Sequence, residues 1–336
     1  MVTERIIGKS AAWLEAMDHV SQLALINRAA IIVGERGTGK ELIAERLHYL
    51  SPRWDQPFVK VNCAGFTDSL LESELFGYEP GAFTGATRLH HGRFERAQGG
   101  TLFLDELGTL SARVQEKVLR IIEYGEFERL GGQKTLAVDV RIVAATNADL
   151  KSMAQRNEFR SDLLDRLAFD VVHPPPLRQR REDIGPLAVH FAVRMSHELG
   201  WPLFPGFTAA AEKVLLDYQW PGNVRELKNV VERSVYRWGN EAAAIDAIVI
   251  DPFIPPQTFD TPVSASSAQP DTEPLASPHP TPVNFTRAVE EFEKTLLARA
   301  LQEEQHHQGR AAEKLGLSYH QFRGLYRKYQ LGNDRG

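Results

Sequence analysis

The segment that most constrains this chain is Gly34-Glu35-Arg36-Gly37-Thr38-Gly39-Lys40-Glu41. It follows the apolar run 29–33 and opens the helix-like stretch 41–50, ELIAERLHYL. It fits G-x-x-x-x-G-K, the Walker A pattern. Its glycines let backbone N–H groups cradle phosphate oxygens. The helix N-terminus adds positive potential, and Lys40 is placed to reach the β and γ phosphates. Gly34 to Glu41 are therefore expected to bind a nucleotide. Glu41 stands where most such loops carry a Ser or Thr whose hydroxyl holds Mg2+, so metal coordination is expected to run through water.

A loop of this kind belongs between a parallel strand and a helix. Three more short runs suit such strands: 58–62 (FVKVN), 101–105 (TLFLD) and 140–146 (VRIVAAT). Helix-like stretches such as 111–123 lie between them. The alternation predicts a parallel sheet flanked by helices, an α/β fold. Residues 102–106, Leu-Phe-Leu-Asp-Glu, fit Walker B. Asp105 would hold the Mg2+ shell through water, and Glu106 would polarise an attacking water. Taken alone, the same residues also describe a strand ending in a solvated acidic turn. Thr146-Asn147 would sit beside the γ-phosphate as a polar sensor or form a simple Asn turn. Asn62, ending another strand, could hydrogen-bond Glu106 and hold it off the water.

At 336 residues, two or three domains are expected. No stretch approaches 18 uninterrupted apolar residues, so membrane insertion is excluded. The start, MVTERIIGKS, has no apolar core of a signal peptide. Cys63, the single cysteine, cannot form an internal disulfide, which fits a cytoplasmic location. Net charge is −5, but residues 305–330 carry five Lys/Arg against Glu313 alone. A basic end on an acidic body suits either DNA contact or a solvated helix face.

Pro174-Pro175-Pro176 stops any helix or central strand, and residues 182–239 then read as helices only. Residues 252–282 hold nine of the 19 prolines and read as a linker. Beyond it lie a helical pattern at 284–304 and a helix pair, 309–315 and 319–329. The expected domains are thus 1–173 (α/β), 174–251 (helical), 252–283 (linker) and 284–336 (helix-turn-helix).

Gly81-Ala82-Phe83-Thr84-Gly85-Ala86 spells GAFTGA, inside ELFGYEPGAFTGA. With it, the chain resembles the NtrC-type, sigma-54-dependent transcription activators over roughly residues 5–330. Glu41 after the loop lysine is normal in that family. Residues 160–172 (RSDLLDRLAFDVV) and 227–237 (LKNVVERSVYR) extend the likeness toward the branch that serves phage-shock genes. The resemblance implies an AAA+ P-loop ATPase with an α-helical lid and a Fis-like helix-turn-helix, using ATP and Mg2+.

It also implies roles, position by position. Gly81 to Ala86, with Phe83 and Thr84 at the tip, would contact sigma-54 RNA polymerase holoenzyme. A loop with two glycines around an aromatic and a threonine suits exposure, although without the resemblance a buried turn around Phe83 is the favoured reading. Arg160 and Arg166 resemble arginine fingers, which must come from a neighbouring subunit and so imply a ring, a homo-hexamer. An Asp162–Arg166 helical pair is the alternative. Arg225, in Trp-Pro-Gly-Asn-Val-Arg-Glu-Leu, resembles sensor II, or else pairs with Glu226. In the helix-turn-helix, Ala311, Ala312, Leu315, Leu317, Phe322 and Leu325 would pack. Tyr319, His320, Arg323, Arg327 and Lys328 would face enhancer double-stranded DNA, with Arg323 suited to guanine and Arg327 and Lys328 to phosphates. Helix 284–304 would dimerise the module; a hairpin that only oligomerises is the other reading.

The ATPase pattern begins by Ile6-Ile7-Gly8, leaving no room for a receiver domain. Control is therefore expected from a partner in trans, from expression level or from DNA-driven assembly. The resemblance points to a phage shock protein A type negative regulator. Trp54, in the polar loop Ser51–Pro57, is expected either to dock it or to fold onto its own domain. The leading reading is an ATP-hydrolysing activator; the alternatives are a DNA-binding regulator or an AAA+ remodeller of another target. GAFTGA argues against the last, and Glu106 with both arginines argues against a plain DNA-binding regulator.

Overall fold

The computed structural model describes residues 6–253, 285–304, 307–317 and 319–329, without the side chains of 285–292 and 320. They fall into two compact units, one within residues 1–257 and one within 258–336. The first unit opens with α1 (Ala11–Ala24), β1 (Ala30–Val33), α2 (Lys40–Tyr49), β2 (Phe58–Asn62) and α3 (Asp68–Phe76). A small ribbon of β3 (Gly77–Tyr78) and β4 (His90–His91) follows, then α4 (Arg93–Arg96), β5 (Thr101–Asp105) and α5 (Ala112–Tyr124). A second ribbon, β6 (Glu126–Glu128) with β7 (Thr135–Ala137), leads to β8 (Arg141–Thr146), α6 (Leu150–Gln155), α7 (Ser161–Leu167) and β9 (Val171–Val172). Three helices complete it: α8 (Ile184–Glu198), α9 (Ala209–Asp217) and α10 (Asn223–Trp238).

The central sheet is parallel throughout, in the order β2-β5-β8-β1-β9. Its strands are short β-branched or apolar runs covered on both faces, as parallel sheets require. Alternation along them splits the core in two. Ile31, Leu102, Leu104, Ile142 and Ala144 face α3, α5 and α7. Ala30, Ile32, Phe103, Val143 and Ala145 face α1 and α2, where Trp13, Met17, Val20 and Leu23 recur at helical spacing. Buried Arg141 has no carboxylate partner among the described residues. It donates instead to the carbonyls of Leu23, Ala24 and Arg28, at and just past the C-terminal end of α1.

The three helices after the sheet enclose their own core. Leu227, Val230, Val231, Ser234 and Val235 form the buried stripe of α10, and Gly239 ends that helix in the left-handed conformation. Trp220, fully buried, donates from Nε1 to the Leu215 carbonyl at 2.9 Å. The second unit holds α11 (Phe285–Glu303), α12 (Gln308–Lys314) and α13 (Tyr319–Lys328). Leu297, Leu301, Ala311, Ala312 and Phe322 make its core, with Leu315, Leu317 and Leu325 half-buried against it.

All four strands expected from the sequence are present. β9, α1 and the two ribbons are additional. The proposed linker lies, beyond Phe253, outside the described residues.

Candidate functional site

The parallel register brings the C-terminal ends of four strands to one edge. Asn62 lies opposite Asp105, and Val33 lies opposite Thr146. That edge is where open α/β sheets bind ligands. The loop from Gly34 to Gly39 leaves β1 there and delivers Lys40 as the first residue of α2. Gly37 has φ +76°, and a Cβ on it would lie 2.2 Å from the Gly222 carbonyl, so only glycine fits. Thr38 Oγ1 donates to the Glu35 carbonyl at 2.9 Å.

Lys40 is buried, and its Nζ donates to the carbonyls of Gly34 (2.9 Å) and Glu35 (3.1 Å). Burial lowers its pKa, while Glu106 and Asp105 act in the opposite direction. The ammonium is thus held over the loop. Glu41 ion-pairs with Lys60 at 2.8 Å. A cleft of about 1090 Å³ opens beside the loop tip, lined by Gly34, Glu35, Arg36, Asn147, Pro174–Pro176 and one side of α1.

Asp105 Oδ1 accepts the Glu106 N–H at 3.0 Å. Glu106 itself has φ +56°, a left-handed conformation that an L-residue adopts at a cost. Its carboxylate lies 3.9 Å from Arg36 Nε. Asn62 does not bond Glu106 in this structure; its Oδ1 accepts from the Ala64 N–H at 3.0 Å. Thr146 is buried, with Oγ1 accepting from the Ala148 N–H, while Asn147 is exposed to the cleft. Lys40, Arg36 and Arg225 around a glycine cradle form a donor set suited to a polyphosphate. Among the described residues, no group of three His, Cys, Asp or Glu could hold a metal unaided. A Mg2+ ion at this edge would have to take part of its oxygen shell from phosphate and water.

The sequence reading missed how the phosphate loop is braced. Glu35 forms a bidentate pair with Arg178 at 2.5 and 2.8 Å. The Arg178 and Asn223 hydrogen bonds hold the Glu35 pKa at about 2. Asn223 is buried at φ +53° and donates to Glu35 and to the Arg36 carbonyl. Its Oδ1 accepts the Leu177 N–H. Arg180 is buried against the Trp13 ring and donates to the Thr38 carbonyl. Asp183 accepts from Lys9 N–H, Ser10 N–H and Ser10 Oγ. These bonds span up to 188 residues, so no local pattern announces them. Arg225 sits beside Gly37, and its guanidinium makes no hydrogen bond or ion pair among the described residues. Glu226 is taken by Gly222 N–H and Tyr218 Oη instead.

Gly81 to Ala86 form a turn between β3 and β4 that exposes Gly81, Phe83, Thr84 and Gly85, while Ala82 is half-buried and Ala86 is buried. Phe83 is 48% exposed, so the buried-turn alternative does not hold. Its ring meets Tyr78 edge-on at 4.9 Å, and Tyr78 stacks on His90. Behind the turn, Arg129 pairs with Glu79 and Glu95 at 2.7 and 2.5 Å. Burial pushes Glu95 upward, but bonds from Arg129, His91 and Gly92 N–H outweigh it and hold its pKa at about 2.

Arg160, just before α7, and Arg166, on it, are both exposed. Arg160 pairs with Asp162, and Arg166 pairs with Glu123 rather than Asp162. Trp54 is 63% exposed, not folded onto its own domain. In the second unit, Tyr319, Arg323, Arg327 and Lys328 are exposed on α13, opposite buried Phe322. Lys328 Nζ also donates to Tyr329 Oη at 2.8 Å. The His320 side chain lies outside the described residues.

Residues 6–173 match the sigma-54 interaction domain, 178–254 the AAA+ ATPase lid domain, and 288–329 the bacterial regulatory protein, Fis family. The chain is 54% identical to the Psp operon transcriptional activator of Escherichia coli, over 98% of both chains. It is 42% identical to the Nif-specific regulatory protein of Azotobacter vinelandii, over 93% of this chain and 56% of that longer one. The crystal structure of NtrX from Brucella abortus in complex with ATP aligns with a TM-score of 0.69 and 31% identity, covering 97% of this chain and 70% of that one. On these matches the chain belongs to the sigma-54-dependent transcriptional activators, with an AAA+ core, a lid and a Fis-type helix-turn-helix.

Proposed function

We propose that this protein hydrolyses ATP to remodel sigma-54 RNA polymerase holoenzyme into open promoter complexes, from enhancer DNA upstream of phage-shock genes. The observation that carries this reading is the meeting of Lys40, Asp105, Glu106, Thr146 and Asn147 at one sheet edge, in the same unit as an exposed GAFTGA turn. Gly34 to Glu41 bind the phosphates through backbone N–H groups and Lys40. Arg225 adds positive charge from the lid. Glu106 Oε1 orients the attacking water and takes its proton, and its distance from Arg36 keeps that oxygen accessible. Asp105 would hold a Mg2+ ion, which would supply charge neutralisation at the phosphate oxygens.

Arg160 and Arg166 are exposed, which suits delivery to a neighbouring subunit's site in a homo-hexamer. Arg323, Arg327 and Lys328 meet DNA. Trp54 docks a phage shock protein A type negative regulator in the cytoplasm. The test is phosphate release and ATP binding by the purified chain. Wild type should do both, Glu106→Ala should bind without hydrolysing, and Lys40→Ala should do neither. Hydrolysis that survives Lys40→Ala would contradict the assignment.

A further inference from the structure

We propose that Glu35, Arg178 and Asn223 form a latch that sets the lid over the phosphate loop, acting as positioning residues for ATP turnover. The inference rests on the ATPase reading of loop 34–41. Its basis is a run of four consecutive loop residues, each tied to the chain beyond Pro174–Pro176. The Glu35 carboxylate takes Arg178 and Asn223. The carbonyl of Arg36 takes Asn223 Nδ2 at 3.0 Å, that of Gly37 takes the Val224 N–H at 2.9 Å, and that of Thr38 takes Arg180 Nη2 at 3.1 Å.

A peptide that turns its N–H toward a bound anion turns its carbonyl away from it. Those outward carbonyls are what the lid holds. The peptides that cradle phosphate and the peptides that orient the lid are therefore the same peptides. Neither can rotate without disturbing the other.

Asn223 is the shared joint. It is fully buried, and its oxygen and nitrogen reach the hinge, the loop backbone and the Glu35 carboxylate together. Its neighbour Val224 bonds Gly37, and the next residue is Arg225. The latch thus fixes where the Arg225 backbone and Cβ stand beside Gly37. Glu35 is an acid in a loop built for anions, a placement that costs energy unless a cation draws its charge aside. Arg178 does so from the hinge, with two parallel N–H···O bonds.

The decisive variants use Arg178, whose side chain is 39% exposed and whose replacement leaves the core intact. Arg178→Ala should raise KM for ATP roughly tenfold, the loss expected for a charge-assisted pair, with a smaller effect on kcat. Arg178→Lys should recover part of it. The double variant Glu35→Gln/Arg178→Ala should be no worse than Arg178→Ala alone, because the pair acts as a unit. An unchanged KM with only a lowered melting temperature would overturn the proposal, as would additive losses. Failure of the wild-type chain to bind ATP would instead overturn the ATPase reading, so the two failures are distinguishable.

Discussion

The phosphate loop and the GAFTGA turn are both glycine-bearing loops at strand ends, yet their glycines do opposite work. Gly37 is glycine because the lid backbone approaches to where a Cβ would stand. Gly81 and Gly85 also have positive φ, but a Cβ on either would meet nothing within 4 Å among the described residues. The first loop is braced by four neighbouring contacts from the lid side. The second is held by its own turn hydrogen bonds, by the Phe83–Tyr78 edge, by buried Ala86 and by the close approach of Gly131 to Ala82, which leaves Phe83 and Thr84 exposed. Under the proposed function, the loop that must keep fixed geometry for chemistry is the one bound on its outer side, and the loop that must meet a partner keeps its tip open.

The largest effects should separate chemistry from contact. Glu106→Ala should cut phosphate release by about 10²–10⁴-fold while ATP binding persists. Thr84→Ala should leave phosphate release largely intact and abolish promoter activation; loss of both would put Thr84 in the fold or the chemistry and break the comparison. Next come the glycines. Gly37→Ala faces both strain and a backbone clash, and should cost about 3 kcal/mol or more in thermal denaturation. Gly81→Ala faces strain alone, about 1–2 kcal/mol. Equal losses at the two positions would contradict the distinction.

A pH effect of about 1 kcal/mol should follow from the brace behind the GAFTGA turn. Glu95 is held from its ordinary 4.5 down to about 2. The ionised form is the one stabilised, so its contribution is complete above pH 4.5 and fades as pH falls toward 2. Glu95→Gln should flatten the melting temperature across that window. The smallest effect on the enzyme itself belongs to Trp54→Ala, which should leave ATP turnover unchanged and relieve repression by the regulator. Unchanged repression would remove Trp54 from the docking surface.

Much of this was readable in the chain because local patterns carry it. Apolar runs of four to six residues gave β1, β2, β5 and β8, and their acidic or Asn-bearing ends marked the site edge. β9 has two residues, too few for a periodicity, and joins the sheet only because β1 offers its free edge. Helix α1 carries a readable apolar stripe, Trp13, Met17, Val20 and Leu23, that the motifs overshadowed. The left-handed backbone of Glu106 and Asn223 was not legible, since neither residue type demands it. Nor was the bracing of Glu35 by Arg178, which depends on the lid returning across 143 residues. Asn62 shows the limit from the other side: its place at a strand end was readable, but its side chain bonds the Ala64 N–H rather than Glu106.

The most direct test of the account is promoter melting. Purified protein, sigma-54 holoenzyme and a sigma-54 promoter are combined with ATP or ADP, and single-stranded thymines are probed. The account predicts melting with ATP alone, lost in both Glu106→Ala and Thr84→Ala. Measurable ATP hydrolysis and tight DNA binding without melting would contradict it, and would assign the braced loop to a different remodelling target.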